Sequence, residues 1–211
     1  MTDRAQSPTP ATGVERIHIG AVDRGPRMRA WAPHDVVRRI DDFKPGAGAK
    51  LRAEIPPVAL ESLMRTGRLE WISIRHGREF SAAAYEVLGD AEGDAFFRWM
   101  LPAQLDRPVL RGIVRASRAV FGLSPMMLLR ATASGWGLAF LEVAQPRIEI
   151  VAPQHAILVL DDVCDDALIE RAFLRSFGAA FEGFFDVSRV PGRVATTVDN
   201  AAKIARYEFV W

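Results

Sequence analysis

The hydrophobic period of this chain shortens near Pro146, and that change constrains the fold more than any other feature. Upstream, apolar residues recur every three or four positions, the stripe of an amphipathic helix. Beyond Pro146, alternation over 147–151 and 156–160 predicts two strands around the turn Ala152-Pro153-Gln154-His155. A long helix is expected next, capped by Asp165 or Asp166, with Ile169, Phe173, Phe177, Ala180, Phe181 and Phe184 on its inner face. Alternation returns over 193–198 and 204–211, a closing hairpin around Asp199-Asn200 with Tyr207, Phe209 and Trp211 on one face. Helices first and β-β-α-β-β last predict an α+β domain, an N-terminal helical half packed on a small antiparallel sheet.

The helical half is read from several short stripes. Helices are expected over 34–43, over 58–65 before Gly67, over 78–88 before Gly89, and over 94–101 with Phe96, Phe97 and Trp99. Pro108 opens another over 108–121, since proline suits a first helical position. Ser124-Pro125 is a clean start signal for a helix that buries Leu128, Trp136 and Phe140. Gly135 and Gly137 flank Trp136; a helical glycine costs about 1 kcal/mol against alanine, so another element is expected to approach closely beside the indole. The run Lys44-Pro45-Gly46-Ala47-Gly48-Ala49-Lys50 lacks the spacing of a phosphate loop and is expected to be a linker. Residues 1–28 are polar with scattered prolines and predict a flexible arm, which leaves 29–211 as a single domain.

Several function classes are disfavoured by composition. A formal net charge of +1 provides no field for nucleic acid, so no nucleic-acid partner is expected. The most apolar window, 119–144, is interrupted by Arg130 and Pro125, so no membrane span is expected. The first residues lack the apolar run of a secretory signal and the chain has one cysteine, Cys164; both favour the cytoplasm. His18, His34, His76 and His155 form no paired ligand spacing, and Asp161-Asp162-Val163-Cys164-Asp165-Asp166 lacks the alternation of a calcium loop. That acidic run reads as a strand end leading into a charged helix N-terminus. No metal, cofactor or catalytic residue is assigned, and the chain is expected not to be an enzyme; an enzyme with an unrecognised site is an alternative.

Two residue groups stand out as binding candidates. Arg107, Arg111, Arg115 and Arg118 fall on one side of the 108–121 helix, a guanidinium face suited to an acidic protein partner or anionic ligand. Trp136, Phe140, Phe173, Phe177, Phe181, Tyr207 and Trp211 concentrate where helices meet sheet and could line a pocket for an apolar small molecule.

These anchors also carry a family resemblance, strongest over 69–211. Trp71 precedes a helix that ends in Gly89; then come Phe121-Gly122-Leu123-Ser124-Pro125, Trp136 with Phe140, two strands, Gly178 within a helix, and Tyr207-x-Phe209-x-Trp211. In this the chain resembles an uncharacterised myxobacterial family of about 200 residues, built like the haem–nitric-oxide-binding (H-NOX) and 4-vinyl-reductase-type small-molecule-binding domains. The resemblance implies a ligand-sensing or protein-interaction module in bacterial signalling, with a homodimer through a helical face. It implies a haem or other tetrapyrrole gas sensor as the alternative. The haem-binding branch uses a helix histidine and a Tyr-x-Ser-x-Arg cluster; the cluster does not occur here, and the helical region after Trp71 offers only His76, near a helix start rather than deep in an apolar face.

Overall fold

The structure, a computed structural model, describes residues 25–105 and 123–211, the side chains of 103–105 excepted. Strand β1 (Arg27–Arg29) leads into α1 (Trp31–Phe43), α2 (Ala47–Glu54) and α3 (Pro57–Arg65). Strand β2 (Trp71–Ser73) precedes α4 (Ile74–Leu88) and α5 (Asp90–Leu105). The second part runs α6 (Pro125–Ala139), β3 (Phe140–Leu141), β4 (Gln145–Ala152), β5 (His155–Asp161), α7 (Asp165–Ile169), α8 (Arg171–Ser188), β6 (Arg193–Asp199) and β7 (Ile204–Val210). The fold is α+β, as the change of period predicts. The expected helix over 108–121 lies outside the described residues.

The main sheet has the order β4-β5-β7-β6, with every neighbouring pair antiparallel. Its register sets Leu158 opposite Tyr207 and Tyr207 opposite Thr196. On the inner face Ala156, Leu158, Leu160, Ala205, Tyr207 and Phe209 are sealed from solvent, because α8 lies across them. The outer face is a lattice of charges in which Arg147 pairs with Asp161 and Glu149, and His155 with Glu208 at 2.6 Å. One dry face and one wet face are what an antiparallel sheet with a helix on one side provides.

Helix α8 is the middle layer. Its other side meets α4 and α5, where Arg98 makes paired bonds of 2.7 Å to Asp186, and Arg175 reaches Asp94 at 2.7 Å and Asp90 at 2.6 Å. Gly183 permits this packing: a Cβ there would lie 2.9 Å from the Arg98 carbonyl oxygen and 3.0 Å from Leu101.

Three sequence expectations are corrected. The run over 44–50 is not a linker throughout, since α2 begins at Ala47 after Gly46, whose φ of 84° makes the turn. Asp41 fixes that start by accepting the Gly48 N–H at 2.7 Å, and Leu51 is buried beneath it. The helix expected from 165 is two helices. Glu170 breaks it and caps the second by accepting the Ala172 N–H at 3.4 Å, and Ile169 is turned outward at 69% exposure. Last, a small sheet of order β2-β1-β3, unforeseen in the sequence, takes in Arg27 and Met28, which the sequence reading left in the arm.

Candidate ligand site

Phenylalanines on α8 recur at 173, 177, 181 and 184, and this spacing strings their rings along one side of the helix. At one end Phe181 meets Tyr207 edge-on at 5.1 Å and Phe209 at 5.8 Å. Tyr207 is fully buried, and its hydroxyl donates to the Leu174 carbonyl at 3.0 Å. Burial pushes its pKa well above the ordinary phenol range. This end is closed core.

The other end is built by three elements. Phe177 of α8 meets Phe173 at 4.8 Å, Phe140 of β3 at 5.3 Å and Trp136 of α6 at 5.8 Å. Trp136 and Phe140 stack at 4.3 Å, and the pairing of Phe140 with Met28 holds that ring in the small sheet. Trp136 is only 6% exposed, yet its indole N–H is buried with no acceptor among the described residues. Buried donors nearly always find a partner, and leaving one unmet costs about 1–3 kcal/mol. Phe140 and Phe177 approach the indole, but nothing among the described residues packs on the flanking glycines: a Cβ added at Gly135 or Gly137 would meet nothing within 4 Å. The glycines mark open space rather than tight packing. Six of the seven aromatic residues singled out in the sequence therefore join one row of rings, from Trp136 and Phe140 through Phe173, Phe177 and Phe181 to Tyr207. Trp211 packs against the core without entering that row, and its N–H bonds the Gln154 carbonyl at 3.0 Å.

The remaining candidates resolve differently. Arg107, Arg111, Arg115 and Arg118 lie outside the described residues. In the acidic run, Asp161 is held by Arg147, Asp162 by Gln145 at 2.9 Å, Asp165 by Lys203 at 2.8 Å and Asp166 by Arg75 and Arg78. Cys164 precedes α7, and burial, then the charges of Asp166 and Asp165, push its thiol up. Among the described residues no group of three or more His, Cys, Asp or Glu could hold a metal ion. Sequence reasoning missed a groove of about 930 Å³ between α8 and β6, lined by Arg171, Gly178, Glu182, Val194, Thr196 and Val198, among others. Gly178 was its signal: a Cβ there would lie 2.1 Å from the Thr196 hydroxyl, so the helix can approach the strand only through glycine.

No protein-family model matches the chain, and no curated protein does. Solved structures do. The Fe(II) unliganded H-NOX protein from K. algicida superposes with a TM-score of 0.59 over 87% of this chain and 96% of that one, at 8% identity. A point variant of the K. algicida protein gives 0.61 at the same identity and coverage. The fold is H-NOX-like. A further H-NOX structure, from work on haem distortion, gives 0.51 at 12% identity, covering 86% of this chain and 93% of that one. At such identities the likeness is one of architecture, and membership of the myxobacterial family is not shown.

An H-NOX-like frame implies haem, which needs an axial ligand aimed into an apolar slot. The described residues do not fit one. Neither α6 nor α8 contains a histidine. His34 bonds the Thr66 carbonyl at 2.9 Å, His155 bonds Glu208, and His76 lies in the first turn of α4, 3.5 Å from Glu79. The rings of the aromatic row touch one another, which leaves no slot between them for a flat macrocycle.

Proposed function

We propose that this chain is a non-catalytic ligand-sensing domain that uses an H-NOX-like frame without haem. It takes an apolar small molecule, bearing a hydrogen-bond acceptor, against Trp136, Phe140 and Phe177. The observation that carries this reading is the Trp136 indole N–H, buried with no acceptor among the described residues, in a helix turn whose flanking glycines, Gly135 and Gly137, have no described atom packed against them. A ligand carbonyl or ring nitrogen would meet that donor while its apolar body covers the half-buried faces of Phe140 and Phe177. Phe173, Phe181 and Tyr207 form the wall behind, and Trp211 supports it from the sheet end.

The wider reading follows from this one. A domain that gathers no metal ligands among its described residues, and whose aromatic row carries an unmet donor at Trp136, is suited to sensing rather than turnover. A cytoplasmic role in bacterial signalling, in a relative of the myxobacterial family, accords with the sequence resemblance. No helix among the described residues is long and apolar enough to cross a membrane.

Native mass spectrometry of gently purified protein, followed by a thermal-shift screen of apolar heterocycles, tests the reading. The expected result is a retained mass, or a stabilisation that Trp136→Phe removes. A bare mass and no shift across the panel would overturn it.

A further inference from the structure

The two edges of the main sheet are built differently. Edge strand β4 carries Pro146, a register shift between Ile150 and Ala152, and charges already engaged within the sheet. These devices blunt an edge against pairing with another chain. Edge strand β6 has none of them. It contains no proline or lysine, pairs with β7 through an unbroken register from Arg193 to Asp199, and no described strand covers its other side.

Its sequence, Arg193-Val194-Ala195-Thr196-Thr197-Val198-Asp199, is self-complementary about Thr196. Turned antiparallel on a second copy in full register, it places Arg193 opposite Asp199, Val194 opposite Val198 and Ala195 opposite Thr197, with Thr196 facing itself on the two-fold axis. Arg193 and Asp199 are both exposed. Arg193 has no ion pair among the described residues, and Asp199 spends one oxygen on the Ala202 N–H at 2.9 Å. Opposite charges, matched β-branched residues and a Thr–Thr pair are the cross-strand combinations that stabilise a ladder.

We infer that β6 is a self-recognition edge through which two copies of this chain join their sheets into one continuous eight-stranded sheet. A two-fold axis normal to the sheet keeps both α8 helices on the same face. The grooves between α8 and β6, about 930 Å³ in each copy, then lie side by side. Val194, Thr196 and Val198 of both strands floor one shared trench. A strand of this length spans about 23 Å, so the contact is smaller than a standard interface, and the dimer is expected to be micromolar and concentration-dependent.

Sedimentation equilibrium of the full chain over a micromolar concentration series tests this. Wild type should show reversible monomer–dimer association. Arg193→Asp and Asp199→Arg each set like charges opposite at both ends of the ladder, and each should weaken association by about tenfold or more. An equimolar mixture of the two variants restores both opposite-charge contacts and should form heterodimers. Asp199→Asn retains the acceptor for Ala202, so weakening in that variant reports lost charge rather than a damaged turn. A wild type that stays monomeric throughout would overturn the inference. So would a dimer indifferent to both reversals, or a mixture that fails to associate. Capture of an unrelated extended peptide by wild type with no self-association would assign the edge to a different partner, and likewise overturns it.

Discussion

The two ends of the aromatic row on α8 share a chemistry and differ in closure. Around Phe181, Tyr207 and Phe209 every ring is buried and the one polar atom, the Tyr207 hydroxyl, has its acceptor. Around Trp136, Phe140 and Phe177 two of the three rings are only partly buried, and the one polar atom has no acceptor among the described residues. Ring type and spacing do not separate the two ends. The neighbour does: the Leu174 carbonyl at one, and at the other a donor with no acceptor among the described residues, next to glycines on which no described atom packs. A row of aromatics can thus serve as foundation at one end and as reception surface at the other.

Substitutions should break that symmetry, the largest effect first. Phe181→Ala removes a ring wedged between α8 and the sheet and should cost about 3–5 kcal/mol in urea unfolding. Phe177→Ala, at the half-buried end, should cost less than half as much. Equal losses would erase the distinction between the ends. Tyr207→Phe keeps the ring and deletes one buried hydrogen bond, the Leu174 carbonyl retaining its helical partner, at about 1 kcal/mol. Trp136→Phe relieves an unmet donor but thins a nearly buried ring, so the two effects should offset to within about 1 kcal/mol. A large loss on Trp136→Phe would reveal a hidden acceptor and weaken the ligand reading.

Protonation sharpens the contrast further. The chain has two tyrosines, Tyr85 and Tyr207. Burial pushes both phenols well above their ordinary range, and the hydrogen bond to Asp94 adds to the shift of Tyr85. Folded protein should therefore show no phenolate absorbance as pH rises through that range. The unfolded chain releases its protons first, so stability is complete below the range and falls as pH climbs through it. A smooth phenolate titration with the fold intact would contradict the burial of both rings. Smallest of all is the ion pair across α5 and α8. Bonding to Arg98 holds the Asp186 carboxyl below its usual range, so the contribution is present above that range and is lost as pH falls through the depressed value. Arg98→Ala should cost under about 1 kcal/mol at neutral pH, since both partners are partly exposed, with the gap to wild type closing in acid.

Much of this architecture is legible in residue order. Alternation at Ala205, Tyr207 and Phe209 marks β7, and Ser124-Pro125 marks the start of α6, where the serine oxygen accepts the Met127 N–H at 3.2 Å. The small sheet is not legible, because strands of two or three residues carry no period and exist only through each other's contacts. Helix α2 hides in a glycine-rich run, since its start depends on Asp41, six residues upstream of Ala47 and invisible to a local pattern. Type and period were enough to place six of the seven candidate aromatics in one layer of rings. Which of them stand at the open end was not legible, because openness depends on what lies beyond Gly135 and Gly137 rather than on any residue present there.

The strand that comes last in chain order, β7, occupies an interior position between β5 and β6. During synthesis every described helix and the β4–β5 hairpin therefore emerge before the sheet can be completed, and β6 waits without its strand partner. Throughout that interval the phenylalanine side of α8 has only a two-stranded ribbon to cover it, a marginal shelter in water. A nascent chain that has emerged only as far as about residue 203 would expose a sticky, half-built core, so the emergence of β7 closes the window in which the chain most needs a chaperone.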